Sequence, residues 1–269
     1  MNGQVKLTGM VLTAMPVNDY DRRITILTKE RGKITAFAKG ARRPTSAFVA
    51  NTQPFAFGEF TLFEGREAYN VVSAEISNYF SELRNDLSAI YYGMYFCELA
   101  GFISRENMEA KEQLRLLYQT LRALTKPSLD HKLVRAVYEL RLMAVYGVSP
   151  QTFNCLSCGE DLLKKGEKIW FSPEDGGAYC DGCLSDMDGG EYSGTDDETA
   201  RNYAKNTGRF QILPSTLYAM QFILTEKLET LYTFTVSSEV LLELQLIMKY
   251  YLQKHIGSHM KSEDMLNLI

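Results

Sequence analysis

The sequence predicts a multidomain α+β protein, in which a small N-terminal β-barrel is followed by an α-helical domain with an inserted loop. Three observations predict this fold class. Short runs of Val, Ile, Thr and Phe alternate with turn-forming residues over the N-terminal part of the chain, as is typical of strands. After residue 80, apolar residues recur at spacings of three and four, which indicates amphipathic helices. Two pairs of cysteines then interrupt the helical pattern.

The N-terminal segment, residues 1–80, is predicted to contain five strands. Their apolar runs lie near residues 6–17, 22–28, 33–42, 57–63 and 68–75. Five strands are too few for an immunoglobulin-like sandwich and suit a closed barrel such as the OB-fold, with room for a short helix near residues 46–53. Residues 29–32 form the hairpin loop between the second and third strands, where Gly32 is free to take a positive φ.

The helical domain is predicted to span residues 81–150 and 191–269. Apolar residues at helical spacing define three helices before residue 150. Thr195 followed by Glu198 forms a capping box, so a helix is expected to resume there. Pro214 is suited to the first turn of a further helix.

Charge is distributed unevenly along the chain. The whole protein has a net charge of −4, yet residues 1–43 hold nine Lys or Arg against three Asp or Glu. Such a concentration of cations in a β-rich segment usually contacts phosphate or another polyanion. The alternative is a solvated strand face that is rich in Lys and Arg.

Residue patterns for catalysis are scarce. The sequence holds three histidines, none of them beside a nucleophile motif. It contains no phosphate-binding loop, dinucleotide fingerprint or metal-binding His-Glu motif. We therefore expect a protein that is not an enzyme.

The sequence also indicates the cellular compartment of the protein. No apolar run approaches the eighteen or so residues of a membrane span, and the first residues lack the apolar core of a secretion signal. We expect a cytoplasmic protein without a membrane partner. In a reducing compartment, five cysteines indicate metal binding or packing rather than disulfides.

Four of the cysteines have metal-ligand spacing. Cys155 and Cys158 form one C-x₂-C pair, and Cys180 and Cys183 form a second after a gap of 21 residues. Two such pairs can close a tetrahedral zinc site in the loop of residues 151–190. Four thiolates leave no open position for water, so the expected zinc is structural, one per chain. A redox pair would need a surrounding βαβ pattern that is missing here.

The basic hairpin suggests a nucleic-acid contact. By strand alternation Phe37 shares a face with Lys33 and Lys39, and an aromatic ring among cations suits single-stranded nucleic acid, whose bases stack while its phosphates meet the charges. The alternative is that Phe37 points into the barrel. The candidate contact residues are Arg22, Arg23, Lys33, Phe37, Lys39, Arg42 and Arg43.

Arg135, Tyr138 and Arg141 follow one another at spacings of three on a predicted helix. Two cations can therefore flank one aromatic ring. Such a trio is usually the solvated edge of an amphipathic helix, and it becomes a candidate site only if an acidic peptide partner is expected.

Short blocks spread over nearly the whole chain resemble the bacterial recombination mediator family RecO. They are residues 22–28 with Gly32, 38–43, 53–55, 138–142 with Gly147, the two cysteine pairs with Gly176 and Gly177, and residues 261–262. The order and spacing of these blocks make the resemblance specific.

The resemblance implies an OB-fold, a helical domain and a zinc-binding insertion. It implies a nucleoid-associated DNA repair and recombination protein that binds single- and double-stranded DNA and anneals complementary strands. With RecR, such a protein helps RecA to load onto DNA coated by single-strand-binding protein. Family members also bind the acidic C-terminal tail of single-strand-binding protein through the helical domain, for which Arg135, Tyr138 and Arg141 are candidates here.

Two other functions are compatible with the sequence. The first is a regulatory module, with a zinc ribbon and an OB-fold, that binds RNA or a protein partner. The second is a metal-dependent nuclease or transferase, which no group of residues supports.

Overall fold

The computed structural model describes residues 3–164, 168–187, 208–257 and 259–266. By packing, the chain divides into two compact units, one of residues 1–131 with 260–269 and one of residues 132–259. The predicted domain boundaries at residues 80, 150 and 190 stay predictions. The predicted capping box at Thr195 and Glu198 lies outside the described residues.

The first unit is built on a closed five-stranded barrel, as the sequence predicts. The strands are β1 (Gln4–Val17), β2 (Asp21–Thr28), β3 (Gly32–Ala38), β4 (Phe57–Glu64) and β5 (Tyr69–Asn78). They are arranged in the order β1-β2-β3-β5-β4. Helix α1 (Phe48–Asn51) lies between β3 and β4 in the chain. The third strand is shorter than predicted because a turn begins at Lys39 and Gly40 has a φ of +65°.

The barrel interior takes alternate residues of each strand. Along β3, Ile34, Ala36 and Ala38 are buried, whereas Lys33 and Phe37 are partly exposed. Because neighbouring side chains on a strand point to opposite faces, this register places Phe37 on the outside of the barrel. The prediction that Phe37 shares the outer face with Lys33 is confirmed, and the alternative of an interior Phe37 is wrong.

Helices complete the first unit. A short 3-10 helix (Ser81–Asn85) leads into α2 (Leu87–Ile103), which is followed by α3 (Lys111–Leu124); α8 (Lys261–Leu266) comes from the end of the chain. The Asp86 carboxylate caps α2 by accepting hydrogen bonds from the backbone N–H groups of Ser88 and Ala89. Helix α2 contacts strands β1 and β2 of the barrel.

The second unit combines helices with a small sheet. Its helices are α4 (His131–Tyr146), of which residues 132–146 belong to this unit, α5 (Asp181–Met187), α6 (Pro214–Thr225) and α7 (Ser238–Ile256). Strands β6 (Ile169–Ser172), β7 (Gly177–Cys180) and β8 (Phe210–Ile212) pair in the order β7-β6-β8. The pairing of β8 with β6 is a feature that the sequence does not reveal. None of the helices that the structure describes is long and apolar enough to cross a membrane.

Candidate metal centre and nucleic-acid interface

The four cysteines of the inserted loop meet at one point. The sulfur atoms of Cys155, Cys158, Cys180 and Cys183 all lie within 4.8 Å of one another. The sulfurs of Cys158 and Cys180 are 3.8 Å apart, far longer than the roughly 2.05 Å of a disulfide. A tetrahedral zinc with Zn–S bonds of about 2.3 Å separates its sulfurs by about 3.8 Å. The donor set therefore fits a zinc ion.

Local backbone structure brings the two pairs together. In the first pair, Gly159 has a φ of +73° and donates its N–H to the Cys155 carbonyl, which closes a tight turn around the sulfurs. The second pair straddles the junction of β7 and α5, since Cys180 ends the strand and Cys183 lies in the first turn of the helix. The N–H of Leu156 donates to the carbonyl of Ala178 at 2.9 Å and so joins the first turn to β7.

The electrostatics of the cluster suit a cation. Burial raises the pKa of the Cys155 thiol, but hydrogen bonds from the backbone of Cys158, Cys180 and Ser157 outweigh it and lower the pKa to about 7. Burial raises the pKa of Cys180 to about 12. A bound divalent ion would stabilise the thiolate form of every member of the cluster. The cluster could hold one metal ion and is compatible with zinc.

Several cations of the basic N-terminal segment bind other parts of the first unit. Arg22 donates from Nη1 to the Val49 carbonyl at 2.8 Å and to Thr52 Oγ1 at 3.0 Å. Burial, and then the charge of Arg42, lowers the pKa of Arg22. Lys33 donates from Nζ to the Gly101 carbonyl at 2.6 Å, near the end of α2. Both residues are also only partly exposed. Arg22 and Lys33 therefore stabilise the fold and are less available to a ligand than the exposed cations are.

Other cations of the segment stay at the surface. The side chains of Arg23, Lys39, Arg42 and Arg43 are all exposed. Strand register places Met15, Arg23 and Phe37 in one row across β1, β2 and β3. In the part of the chain that the structure describes, none of these four cations forms an ion pair with a carboxylate. The structure thus gathers Arg23, Phe37, Lys39, Arg42 and Arg43 at one end of the β2–β3 hairpin.

The loop of residues 39–43, here called the basic loop, is held in a defined conformation. The Asp21 carboxylate accepts a hydrogen bond from the Gly40 N–H at 2.7 Å. The N–H of Arg42 donates to the Tyr20 carbonyl at 2.8 Å. Ala41, which lies between Gly40 and Arg42 in the chain, is fully buried. A loop fixed at both its start and its centre presents its arginines without a large ordering cost.

The predicted surface formed by Arg135, Tyr138 and Arg141 is wrong. The ring of Tyr138 is fully buried. Arg135 forms an ion pair at 2.7 Å with Glu139, whose side chain is only 2% exposed. Arg141 donates from Nη1 to the carbonyls of Ile223 and Leu224 at the end of α6. The face of α4 that carries the trio is therefore turned into the protein, and the helical spacing alone could not show this.

Comparison with known families covers almost the whole chain. The family model described as Recombination protein O N terminal matches residues 1–80, and the one described as Recombination protein O C terminal matches residues 84–264. The chain belongs to the RecO family. Membership in the RecO family places the chain among DNA repair proteins.

Individual RecO proteins resemble the chain over much or all of its length. The DNA repair protein RecO of Acetivibrio thermocellus is 29% identical over 265 residues, which cover 98% of this chain and 97% of that protein. The RecO protein of Alkaliphilus metalliredigens is 35% identical over 180 residues, covering 66% and 72% of the two chains. That of Desulforudis audaxviator is 36% identical over 180 residues, covering 67% and 70%.

One exposed aromatic residue of this RecO family chain, Tyr20, is not predicted from the sequence pattern. Tyr20 lies in the turn between β1 and β2, its side chain is 51% exposed, and the Arg43 guanidinium lies over its ring. Its position immediately before the basic strand β2 is a sequence signal that could have found it. The contact with Arg43, 23 positions along the chain, is visible only in the fold.

Proposed function

We propose that this protein is a non-enzymatic DNA-binding recombination mediator, which binds single- and double-stranded DNA and anneals complementary strands. The observation that carries the proposal is the group of exposed cations, Arg23, Lys39, Arg42 and Arg43, at one end of a small barrel. Guanidinium and ammonium groups bind phosphates by charge-assisted hydrogen bonds. Membership in a DNA repair family supports the choice of DNA as the polyanion.

The arrangement suits annealing because it neutralises phosphates without reading base edges. Arginines on a rigid loop lower the repulsion between two strands, since each bound phosphate no longer repels the incoming chain. The partly exposed ring of Phe37 beside Arg23 in the strand register offers a stacking surface for an unpaired base. Neither feature calls for a bound nucleotide or a catalytic group.

The proposed role includes two protein partners and a site of action. Family resemblance supports RecR as a partner in loading RecA, and the acidic C-terminal tail of single-strand-binding protein as a second ligand. Arg135, Tyr138 and Arg141 do not supply that second site, because Tyr138 is fully buried and Arg135 is paired with Glu139. The proposed location is the bacterial cytoplasm, at the nucleoid.

The proposed metal is one structural zinc ion. Cys155, Cys158, Cys180 and Cys183 offer four sulfur ligands within 4.8 Å of one another, and four protein ligands complete a tetrahedral site. Binding would supply folding energy to a loop with a small apolar core. The zinc therefore has a role in holding the second unit, separate from DNA binding by the first.

Strand annealing without nucleotide tests the proposed function. The assay follows the pairing of complementary oligonucleotides by fluorescence energy transfer, with the wild type and with Arg42→Glu/Arg43→Glu. The control Arg66→Glu/Arg122→Glu makes the same charge change at two other exposed arginines of the first unit. We expect the first variant to lose most of the annealing and the control to keep it. Unchanged annealing by Arg42→Glu/Arg43→Glu, or a preference for RNA of the same sequence, would contradict the proposal.

A further inference from the structure

The side chain of Tyr20 is placed in an unusual way for a surface tyrosine. It is 51% exposed, and the guanidinium carbon of Arg43 lies 5.2 Å from its ring centroid. This distance is within the range of a cation–π interaction, in which the cation is attracted to the negative face of the ring. With Arg43 over the ring, half of the side chain remains open to solvent. The pair thus combines an accessible aromatic surface with a positive charge directly beside it.

The turn that carries Tyr20 is fixed to the basic loop. The N–H of Arg42 donates to the Tyr20 carbonyl at 2.8 Å. The Arg42 guanidinium donates from Nη1 to the carbonyls of Asn18 and Asp19 at 3.4 and 3.3 Å. Asp21, which follows Tyr20 in the chain, accepts a hydrogen bond from the N–H of Gly40. Tyr20 and Arg43 therefore belong to one rigid arrangement. The entropy cost of ordering them when a ligand binds is small.

We infer that Tyr20 is a stacking residue for an unpaired nucleobase, while Arg43 contacts the adjoining phosphate. The inference rests on the proposed DNA-binding function and deepens it. A base in a single strand can leave its neighbours and lay its face on an aromatic ring, and Arg and aromatic side chains act together in this mode of binding. A base inside a duplex has both faces covered by its neighbours. Tyr20 therefore contributes to the binding of single strands, whereas the cations of the basic loop contribute to both forms.

Phe37 alone does not explain a preference for single strands over duplex DNA. Its ring is partly covered on the outer face of β3, whereas Tyr20 is more than half exposed at the end of the hairpin. The two rings flank the start of β2 and the end of β3, with Arg23 beside Phe37 and Arg43 beside Tyr20. The arrangement offers two stacking positions, each with its own cation.

The test compares three probes by fluorescence anisotropy: an oligothymidylate, an abasic strand of equal length that keeps the phosphates but lacks bases, and a duplex. The variants are Tyr20→Ala, Tyr20→Phe and the control Tyr218→Ala, which truncates a tyrosine that is 62% exposed in the second unit. We expect Tyr20→Ala to weaken oligothymidylate binding by roughly 5- to 150-fold. Binding of the abasic strand and the duplex should change less than about twofold, because phosphate contacts are kept. Tyr20→Phe and the control Tyr218→Ala should both bind oligothymidylate as tightly as the wild type does.

The outcomes separate this inference from the function on which it rests. If the wild type binds none of the probes, the proposed function fails. If the wild type binds and Tyr20→Ala binds oligothymidylate equally well, only the stacking role of Tyr20 fails. Equal weakening for all three probes would also overturn it, because Tyr20 would then act only by holding the loop.

A second measurement on the wild type does not depend on the folding of any variant. Photo-crosslinking with a strand that carries 5-iodouracil joins the base to an aromatic side chain in contact with it, and mass spectrometry identifies the residue. We expect an adduct at Tyr20. Adducts elsewhere, with Tyr20 unmodified, would overturn the inference.

Discussion

The Asp21 carboxylate accepts a hydrogen bond from the backbone N–H of Gly40 at 2.7 Å. An acidic residue thus lies within the most basic segment of the chain, where its charge alone would oppose the binding of DNA. Its hydrogen bond holds the start of the basic loop, and Gly40 takes a φ of +65° that brings its N–H to the carboxylate. The role of Asp21 is therefore to position the loop rather than to contact a ligand.

Two substitutions of Asp21 separate its charge from its hydrogen bond. Asp21→Asn and Asp21→Ala both remove the negative charge, but only asparagine keeps an oxygen that can accept from Gly40. We expect Asp21→Asn to bind single-stranded DNA at least as tightly as the wild type. Asp21→Ala should bind roughly fivefold more weakly than Asp21→Asn, equivalent to about 1 kcal/mol for one lost hydrogen bond. Equal affinities of the two variants, measured by anisotropy, would show that the bond does not matter.

The hairpin turn at Gly32 tolerates no side chain. Gly32 has a φ of +64°, and a Cβ atom there would lie 2.1 Å from the Arg105 carbonyl oxygen and 2.6 Å from that of Met108. We expect Gly32→Ala to lower the free energy of unfolding by more than about 3 kcal/mol, because the backbone of the turn or of residues 105–108 must move to relieve the clash.

Gly40 is the matched control for this steric effect. Its φ is also positive, but its Cβ would lie 3.6 Å from Arg43, an ordinary contact. Gly40→Ala should therefore cost only the left-handed backbone penalty, about 1 kcal/mol. Urea denaturation of both variants measures the difference. Equal losses would mean that Arg105 and Met108 do not restrict the turn.

Zinc content tests the cysteine cluster. The reduced wild type is expected to contain one zinc ion per chain by elemental analysis, and Cys155→Ser should lose it together with stability of the second unit. Cys97→Ala is the matched control, because Cys97 is a buried cysteine of the first unit, outside the cluster. That variant should keep its zinc. A metal-free wild type, or folding that is indifferent to a strong chelator, would contradict a structural zinc site.

Arg135 is expected to affect stability rather than the binding of a partner. It donates from Nε to Glu139 at 2.7 Å, and the Glu139 carboxylate is buried. Arg135→Ala should lower the free energy of unfolding by about 2 kcal/mol, because a buried charged acceptor loses a charged donor. Arg122→Ala, at an exposed arginine, should change it by less than about 0.5 kcal/mol. Thermal or urea unfolding checks both, and an Arg135→Ala variant as stable as the wild type would refute this role.

The sequence predicts the barrel well because strand alternation and turn residues are local signals. Ile34, Ala36 and Ala38 face the interior as their alternation requires. The metal cluster is equally predictable, since its ligands lie in two short motifs. These features depend on residues close together in the chain.

Features that depend on distant contacts could not be predicted. Lys33 binds a carbonyl 68 positions away and Arg22 binds one 27 positions away, so neither could be separated from the exposed cations by charge pattern. Tyr20 meets Arg43 only after the barrel closes. Helical spacing placed Tyr138 on one side of α4 but gave no information on whether that side is buried.

The dependence of single-strand affinity on salt measures how many phosphates the exposed cations of the basic segment bind. Single-stranded DNA contributes a log–log slope of roughly −0.7 per phosphate contact, so Arg23, Lys39, Arg42 and Arg43 predict a slope of about −2.8. In Arg42→Glu/Arg43→Glu two of the four contacts are lost, and the slope should fall to about −1.4 with weaker binding at low salt. A wild type whose affinity does not change with salt, or a variant whose slope equals that of the wild type, would contradict the assignment of this surface to DNA.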